Sequence, residues 1–290
     1  MAGWVLGVIG GSGLYDLEGL AGRRWVEIAS PFGTPSDALL MGRLGETELV
    51  FLPRHGRGHV LPPTAVNARA NIDALKRAGC TDVISLSAAG SLREALAPGD
   101  FVVVDQFIDR TFAREKSFFG PGLAAHVSMA EPVCPRLSRL AATAGRAAGA
   151  RVVEGGCYLA MEGPQFSTKA ESALYRAWGC DVIGMTNMPE AKLAREAELP
   201  YASVAMVTDY DCWHEAFAHV GVDQILKVLE ANAATARDLI RRLAAALPAE
   251  RTPSPIDTAL TGTLITTREA RDPAMIERLS AVAGRALASG

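Results

Sequence analysis

Residues 67–91 read NARANIDALKRAGCTDVISLSAAGS, and the order of patterns in this stretch sets the fold class. Asn67–Ala78 predicts a helix. Gly79 ends it, because glycine accepts the left-handed conformation at the position after a helix without a Cβ clash. Val83–Leu86 then reads as a buried strand, brief and mostly apolar, and it runs into small residues up to Ser91. Outward from here the alternation repeats. Strands are expected at Val5–Ile9, Leu49–Leu52, Phe101–Val104, Val182–Ile183 and Ser203–Val207. Helices are expected over Pro135–Ala148, Lys169–Trp178, Pro189–Glu198 (proline in the first turn) and Val222–Leu247. The last carries Val222, Ile225, Leu226, Leu229, Ala233, Ala236, Ile240 and Leu243 on one i, i+3, i+4 stripe. Strands alternating with helices favour an α/β sheet covered by helices.

The chain has 290 residues, 49% apolar and 21% charged, enough for a sizeable core in one large domain or two small ones. Pro248, Pro253 and Pro255 mark a linker after a main body of residues 1–247. Beyond it, a strand-like Leu260–Thr266 and a helix-like Pro273–Leu287 make a tail too short for its own core. Residues 248–290 are therefore expected to pack on the body or on a neighbouring subunit. A net charge of −3 argues against nucleic acid as a partner, while leaving room for a local basic pocket. No apolar run approaches the ~20 residues that span a bilayer, and Met1–Ile9 has no signal-peptide pattern. These features predict a cytoplasmic protein with no membrane partner. The five cysteines are scattered and form no C-x-x-C pair, so reduced thiols are expected rather than zinc or a redox dithiol. No H-E-x-x-H and no carboxylate-rich calcium loop occurs, so no metal is expected.

Several strand ends carry chemistry. Gly10-Gly11-Ser12-Gly13 lets backbone N–H groups and a hydroxyl approach an anion, although a tight turn explains it as well. Arg54-His55-Gly56-Arg57-Gly58-His59 follows a strand with two arginines and two of the five histidines, and suits an oxyanion because arginine offers a rigid fork of donors, with a solvated surface loop as the alternative. Ser85–Ser91 leaves room for a ligand or for close sheet–helix packing, with even claims. Met161-Glu162-Gly163-Pro164-Gln165-Phe166-Ser167 holds an aromatic that would stack on a base, though such a Phe is more often core. Met185-Thr186 is similarly open. In Thr208-Asp209-Tyr210-Asp211-Cys212-Trp213, two acids directly follow an apolar strand. One is explained by a helix cap; two together suit a site where a carboxylate holds or delivers a proton.

In order along the chain, I-G-G-S-G-L, R-H-G-R-G-H, S-A-A-G-S-L-R-E, D-Q-F-I-D-R-T, E-G-P-Q-F-S-T, M-T-N-M-P-E and T-D-Y-D-C-W resemble the trimeric purine nucleoside phosphorylase family, from about Val5 to Leu247. The resemblance is to members acting on 5′-methylthioadenosine. It implies an α/β fold with a single domain, a mixed, partly barrel-like central sheet flanked by helices, and a homotrimer or dimer of trimers. It implies phosphorolysis to adenine and methylthioribose 1-phosphate, in methionine and purine salvage, with inorganic phosphate as co-substrate and no cofactor. By the same resemblance Ser12, Arg54, His55, Ser87, Ala88 and Thr186 would bind phosphate, and Met185 would touch the ribose. Phe166, Ser167, Asp209 and Asp211 would surround the purine, with Asp209 and Asp211 as the catalytic acids. Val222, Ile225 and Leu226 would line a methylthio pocket, and His59 would reach a neighbouring subunit's site.

Base choice follows from donors and acceptors. Relatives that cleave 6-oxopurines carry Asn at the position of Asp209 and Glu at that of Ser167. A carboxylate only accepts hydrogen bonds, so it suits an exocyclic amine or a protonated ring nitrogen and disfavours a 6-oxo group. A purine nucleoside or methylthioinosine phosphorylase is the alternative of the same class. A hydrolase on the same fold would leave the anion donors without a partner. A binding module without turnover would lack the acid or the anion set, and both are present.

Overall fold

The computed structural model describes residues 3–11, 13–214 and 222–289, without the side chains of 222–226 and 289. The strands are β1 (Val5–Gly10), β2 (Ala21–Val26), β3 (Leu39–Leu44), β4 (Thr47–Pro53), β5 (Asp82–Ser91), β6 (Phe101–Val104), β7 (Gln106–Asp109), β8 (Val152–Glu154), β9 (Cys157–Ala160), β10 (Val182–Gly184) and β11 (Tyr201–Asp209). The helices are α1 (Ala68–Arg77), α2 (Pro135–Ala147), α3 (Lys169–Ala177), α4 (Glu190–Glu196), α5 (Val222–Ala246), α6 (Pro273–Arg278) and α7 (Ser280–Ser289).

The sheet runs β2-β3-β4-β1-β5-β10-β9-β7, and β11, β6 and β8 branch from β5. Parallel and antiparallel pairs are mixed. Along one edge, β5 pairs with β1 only over Asp82–Ser85 and with β10 only at Gly90 and Ser91. Between these partners the sheet forks. A crevice where neighbouring strands diverge beyond their ends is where open α/β sheets take ligands, and here it opens beside Leu86–Ala89.

Side chains alternate across the strands and build two cores. Ile9, Val83, Tyr201, Ala205 and Val207 pack with residues of α1, α4 and α7. Leu6, Val8, Ile84, Leu86, Ala202 and Val204 pack with residues of α2 and α5. Ser85, Ser87 and Ser203 fall on the alternation of the first face, where each is buried. They put hydroxyls inside an otherwise apolar layer.

The tail differs from its sequence reading in two ways. Leu260–Thr266 forms no strand: the chain turns at Gly262 (φ 73°), Thr263 N–H donates to Leu260 O at 3.2 Å, and one isolated bridge joins Leu264 to Ala125. The expected helix Pro273–Leu287 divides into α6, capped by Asp272, and α7, with Leu279 between them. Leu260, Leu279, Val282 and Ala283 join the first core. Glu198, just past α4, accepts from Leu260 N–H at 2.8 Å and from Arg285 Nε at 2.8 Å.

Candidate active site

Arg54 leaves the end of β4 and lies 2% exposed beside the fork. Its fork is turned inward, toward protein acceptors. Nε donates to Glu190 Oε1 at 2.5 Å, Nη2 to Glu190 Oε2 at 3.2 Å and to Ser85 Oγ at 2.5 Å, and Nη1 to Leu86 O at 3.1 Å. One Nη1 hydrogen remains. Burial works against both charges, yet each outlasts it through the other: Arg54 is held above its usual range and Glu190 below the usual carboxylate range.

Beneath this pair, Glu190 Oε2 also accepts from Ser85 Oγ at 3.0 Å and from Tyr201 Oη at 3.2 Å. Asn187, fully buried at φ 67°, places Oδ1 3.1 Å from Ser85 Oγ, where it shares that single hydroxyl proton with Glu190, and donates to Ser203 Oγ at 2.7 Å. Sequence reasoning missed Glu190, Asn187 and Tyr201. Their signal was limited to hydroxyls inside apolar strands, since buried polar groups need partners; α4 itself reads EAKLARE, in which Glu190 does not stand out.

His55 stands next in the chain. Its Nδ1 faces Leu61 O at 2.9 Å, and a carbonyl only accepts, so Nδ1 carries the proton and neutral Nε2 is an acceptor. Burial first, then the Arg54 charge, lower the His55 pKa to about 4. The unfolded chain binds this proton near pH 6.5. Charging the ring therefore favours unfolding, and the stability that neutral His55 contributes above pH 6.5 is lost as pH falls toward 4. With solvent reaching part of the ring, the loss should be on the order of 2 kcal/mol. Urea unfolding of wild type and His55→Gln from pH 7 to pH 4 should show wild type losing more. Parallel curves would remove this role from His55.

The second arginine of the motif belongs elsewhere. Arg57 sits over the Trp25 ring at 4.1 Å and binds Asp37 through Nε at 3.0 Å and Nη2 at 2.9 Å. That grip fixes the loop that presents His59, which is exposed, has φ 57° and stacks on His55 at 4.3 Å.

Around the crevice, Arg54, His55, Met185, Thr186 and Glu190 share one cavity with Arg114. Thr186 Oγ1 lies 3.2 Å from the hydroxyl of buried Tyr158. Gly184 makes room for that hydroxyl, because a Cβ there would come within 2.0 Å of it. Ser87 Oγ is buried near Tyr158 without a hydrogen bond of full geometry. Ala88, the next residue, is exposed. Ser12 lies outside the described residues. So do the side chains of Val222, Ile225 and Leu226, although the backbone from Val222 is helical as the apolar stripe predicts.

The two acids follow β11, whose register against β5 shifts between Val207 and Asp209. Such a bulge re-aims the side chains after it. Asp209 Oδ1 accepts from Asp211 N–H at 2.8 Å and Oδ2 from Thr208 Oγ1 at 2.6 Å. Asp211 has φ 50°, a conformation that Asp tolerates better than most residues. Gly90 lets the acids close on β5, since its Cβ would lie 3.1 Å from Asp209 Oδ1 and 3.4 Å from Asp211 Cβ. Burial, and the neighbouring Asp209, raise the Asp211 pKa above the usual carboxylate range. Cys212 Sγ donates to Ser167 O at 3.3 Å and ties this loop to the one bearing Phe166. Ser167 is buried, with Oγ 3.7 Å from Met161 Sδ. Phe166 is 84% exposed, so the core reading does not hold for it.

A forked mixed sheet with a buried arginine, hydroxyls and a pair of acids at the fork defines a class. The chain belongs to the phosphorylase superfamily, whose family model matches residues 5–245. It is 60% identical to the S-methyl-5′-thioadenosine phosphorylase of Cereibacter sphaeroides over 98% of each chain. It is 59% identical to that of Rhodospirillum rubrum over 98% of this chain and 97% of the relative. Among solved structures, a methylthioadenosine phosphorylase from an antarctic soil metagenomic library superposes with a TM-score of 0.93 at 45% identity, covering 97% of this chain and 99% of the other. The Schistosoma mansoni methylthioadenosine phosphorylase in complex with adenine gives 0.79 at 41% identity, covering 86% and 93%.

Proposed function

We propose that this protein splits 5′-methylthioadenosine with inorganic phosphate, giving adenine and 5-methylthioribose 1-phosphate. The observation that carries this reading is the pairing of an anion-type wall, Arg54 to Thr186, with Asp209 and Asp211 across the fork of β5. It is supported by 60% identity to a relative named for this activity over nearly the whole chain.

Phosphate sits against Ser12, Ser87, Ala88 N–H, Thr186 and the remaining Nη1 hydrogen of Arg54. Neutral His55 accepts the hydroxyl proton of hydrogen phosphate at Nε2, so the wall carries donors and an acceptor instead of bare charge. Met185 touches the ribose, and Phe166 and Ser167 flank the base. As the C–N bond stretches toward an oxocarbenium-like state, the Asp209–Asp211 pair helps a proton reach purine N7 and adenine leaves. Fixed donors and alignment supply the acceleration, with no cofactor. Val222, Ile225 and Leu226 form the methylthio wall; an apolar pocket rejects an added hydroxyl by only about 10²-fold, so slow adenosine cleavage accompanies the main reaction.

The working unit is a homotrimer in which His59 reaches a neighbour's site. Val60 (70% exposed) and Phe112 (82%) give apolar surface for such a contact. The five free cysteines suit a reducing compartment such as the cytoplasm, and among the described residues no helix is long and apolar enough to cross a membrane.

Incubation with methylthioadenosine should give methylthioribose phosphate only when phosphate is present, and a metal chelator should not slow it. Equal turnover without phosphate, yielding free methylthioribose, would make the protein a hydrolase. Light scattering should give a multiple of three of the 30.6 kDa chain. A fully active monomer would end the shared-site reading.

A further inference from the structure

We propose that Arg114, paired with Glu162, is a positioning residue that sets the spacing between the loop of Met161–Ser167 and the loop of Met185–Met188. The proposal rests on the phosphorolysis reading above. The Arg114 side chain is 6% exposed, and all five of its N–H groups are used. Nε donates to Glu162 Oε1 at 3.0 Å. Nη1 donates to Met185 O and Met188 O, each at 2.8 Å, and Nη2 to Glu162 O at 2.6 Å and Met161 O at 3.4 Å. Four bonds thus go to main-chain carbonyls, two in each loop.

Glu162 completes the brace. Its Oε2 accepts from Phe112 N–H at 2.6 Å and Ala113 N–H at 3.1 Å, and its Oε1 from Thr64 Oγ1 at 2.7 Å. One buried ion pair therefore ties four segments together. Two of them carry the groups read as facing the substrates: Phe166 and Ser167 follow Glu162, and Thr186 follows Met185. Phosphorolysis needs phosphate and nucleoside aligned on one axis, so the distance between these loops is a catalytic variable. A planar guanidinium reaches carbonyls on two sides at once; a lysine ammonium is a point and cannot.

A purely structural pair would behave differently, and Arg251 supplies the comparison. It is also a nearly buried arginine, with four hydrogen bonds to Asp82, Asp257 and Thr81 O, in the tail linker. Arg114→Lys and Arg251→Lys should both lower the melting temperature. Assayed at 25 °C, Arg114→Lys should also lose about 10–100-fold in kcat for methylthioadenosine, with a smaller change in either KM, because misplacement by an ångström is felt in the transition state. Arg251→Lys should keep kcat and both KM values. If Arg114→Lys does not fold, Glu162→Gln, which keeps the carbonyl bonds of Arg114, should give an intermediate kcat loss. Wild type runs in parallel: no turnover by wild type defeats the phosphorolysis reading. Active wild type with kcat unchanged in Arg114→Lys, or in Glu162→Gln where the first does not fold, defeats this proposal.

Discussion

Asparagine at position 209 is expected to cut turnover of methylthioadenosine about 10²–10⁴-fold, the usual cost of losing a general acid, while the KM for phosphate moves little. The loop should survive the change. The amide oxygen can still accept from Asp211 N–H, and the amide nitrogen can donate to the Thr208 hydroxyl, which now accepts. What disappears is the second carboxylate beside Asp211, whose raised pKa owes part of its height to that neighbour. An interaction made mainly in the transition state is lost from kcat and not from KM. Steady-state kinetics with each substrate varied in turn would measure this. Adding Ser167→Glu should shift the kcat/KM ratio toward methylthioinosine. Near-normal turnover with unchanged base preference in Asp209→Asn would reduce Asp209 to a cap for the turn at Asp211.

The second large effect separates folding from binding at Arg54. Replacing it with methionine strands the Glu190 carboxylate in a fully buried position, a loss of about 3–5 kcal/mol when one partner of a buried ion pair goes. Replacing both, Arg54→Met with Glu190→Leu, should restore much of that stability, because apolar side chains of similar volume fill such sites well. Phosphate binding should not return with it. The double variant should melt closer to wild type and still show a strongly raised phosphate KM. Recovery of both properties would mean that the pair is only a fastening for α4.

The sequence made the six buried, apolar strands and the longer helices readable, since brief β-branched runs and the i, i+3, i+4 stripe are local signals. β2, whose residues Ala21–Trp25 are exposed, and the short β7, β8 and β9 lack such runs. They exist through pairing with distant partners, as β7 does with β9, which no window of neighbouring residues displays. The helix boundary lost at Leu279 and the strand lost at Gly262 have the same cause: packing on the body decided the backbone. At the site, the motif ends that bear Arg54, His55, Thr186 and Asp209 were visible because they break apolar patterns. The orientation of Arg54 was not, because it depends on Glu190, 136 positions away in the chain. Arg114 was hidden for the same reason: its carboxylate partner Glu162 lies 48 positions away, and its other four partners are carbonyls, which have no letter in a sequence.

The central strand has a consequence for motion. β5 is bonded to β11 along one edge and to β1 and β10 on the other, and the three branches of the sheet that begin with these strands meet at it. Core strands of this kind release their amide hydrogens to solvent only when the whole molecule unfolds. Ser85 and Ser87 ride on this strand, so the anion wall keeps its shape between global openings. Phe166, 84% exposed, has little to hold its ring and can change rotamer within nanoseconds. Deuterium uptake should therefore be slowest across Ile84–Ser87 and much faster around Gln165–Ser167, one boundary of the crevice static and the other able to adapt to the base that arrives.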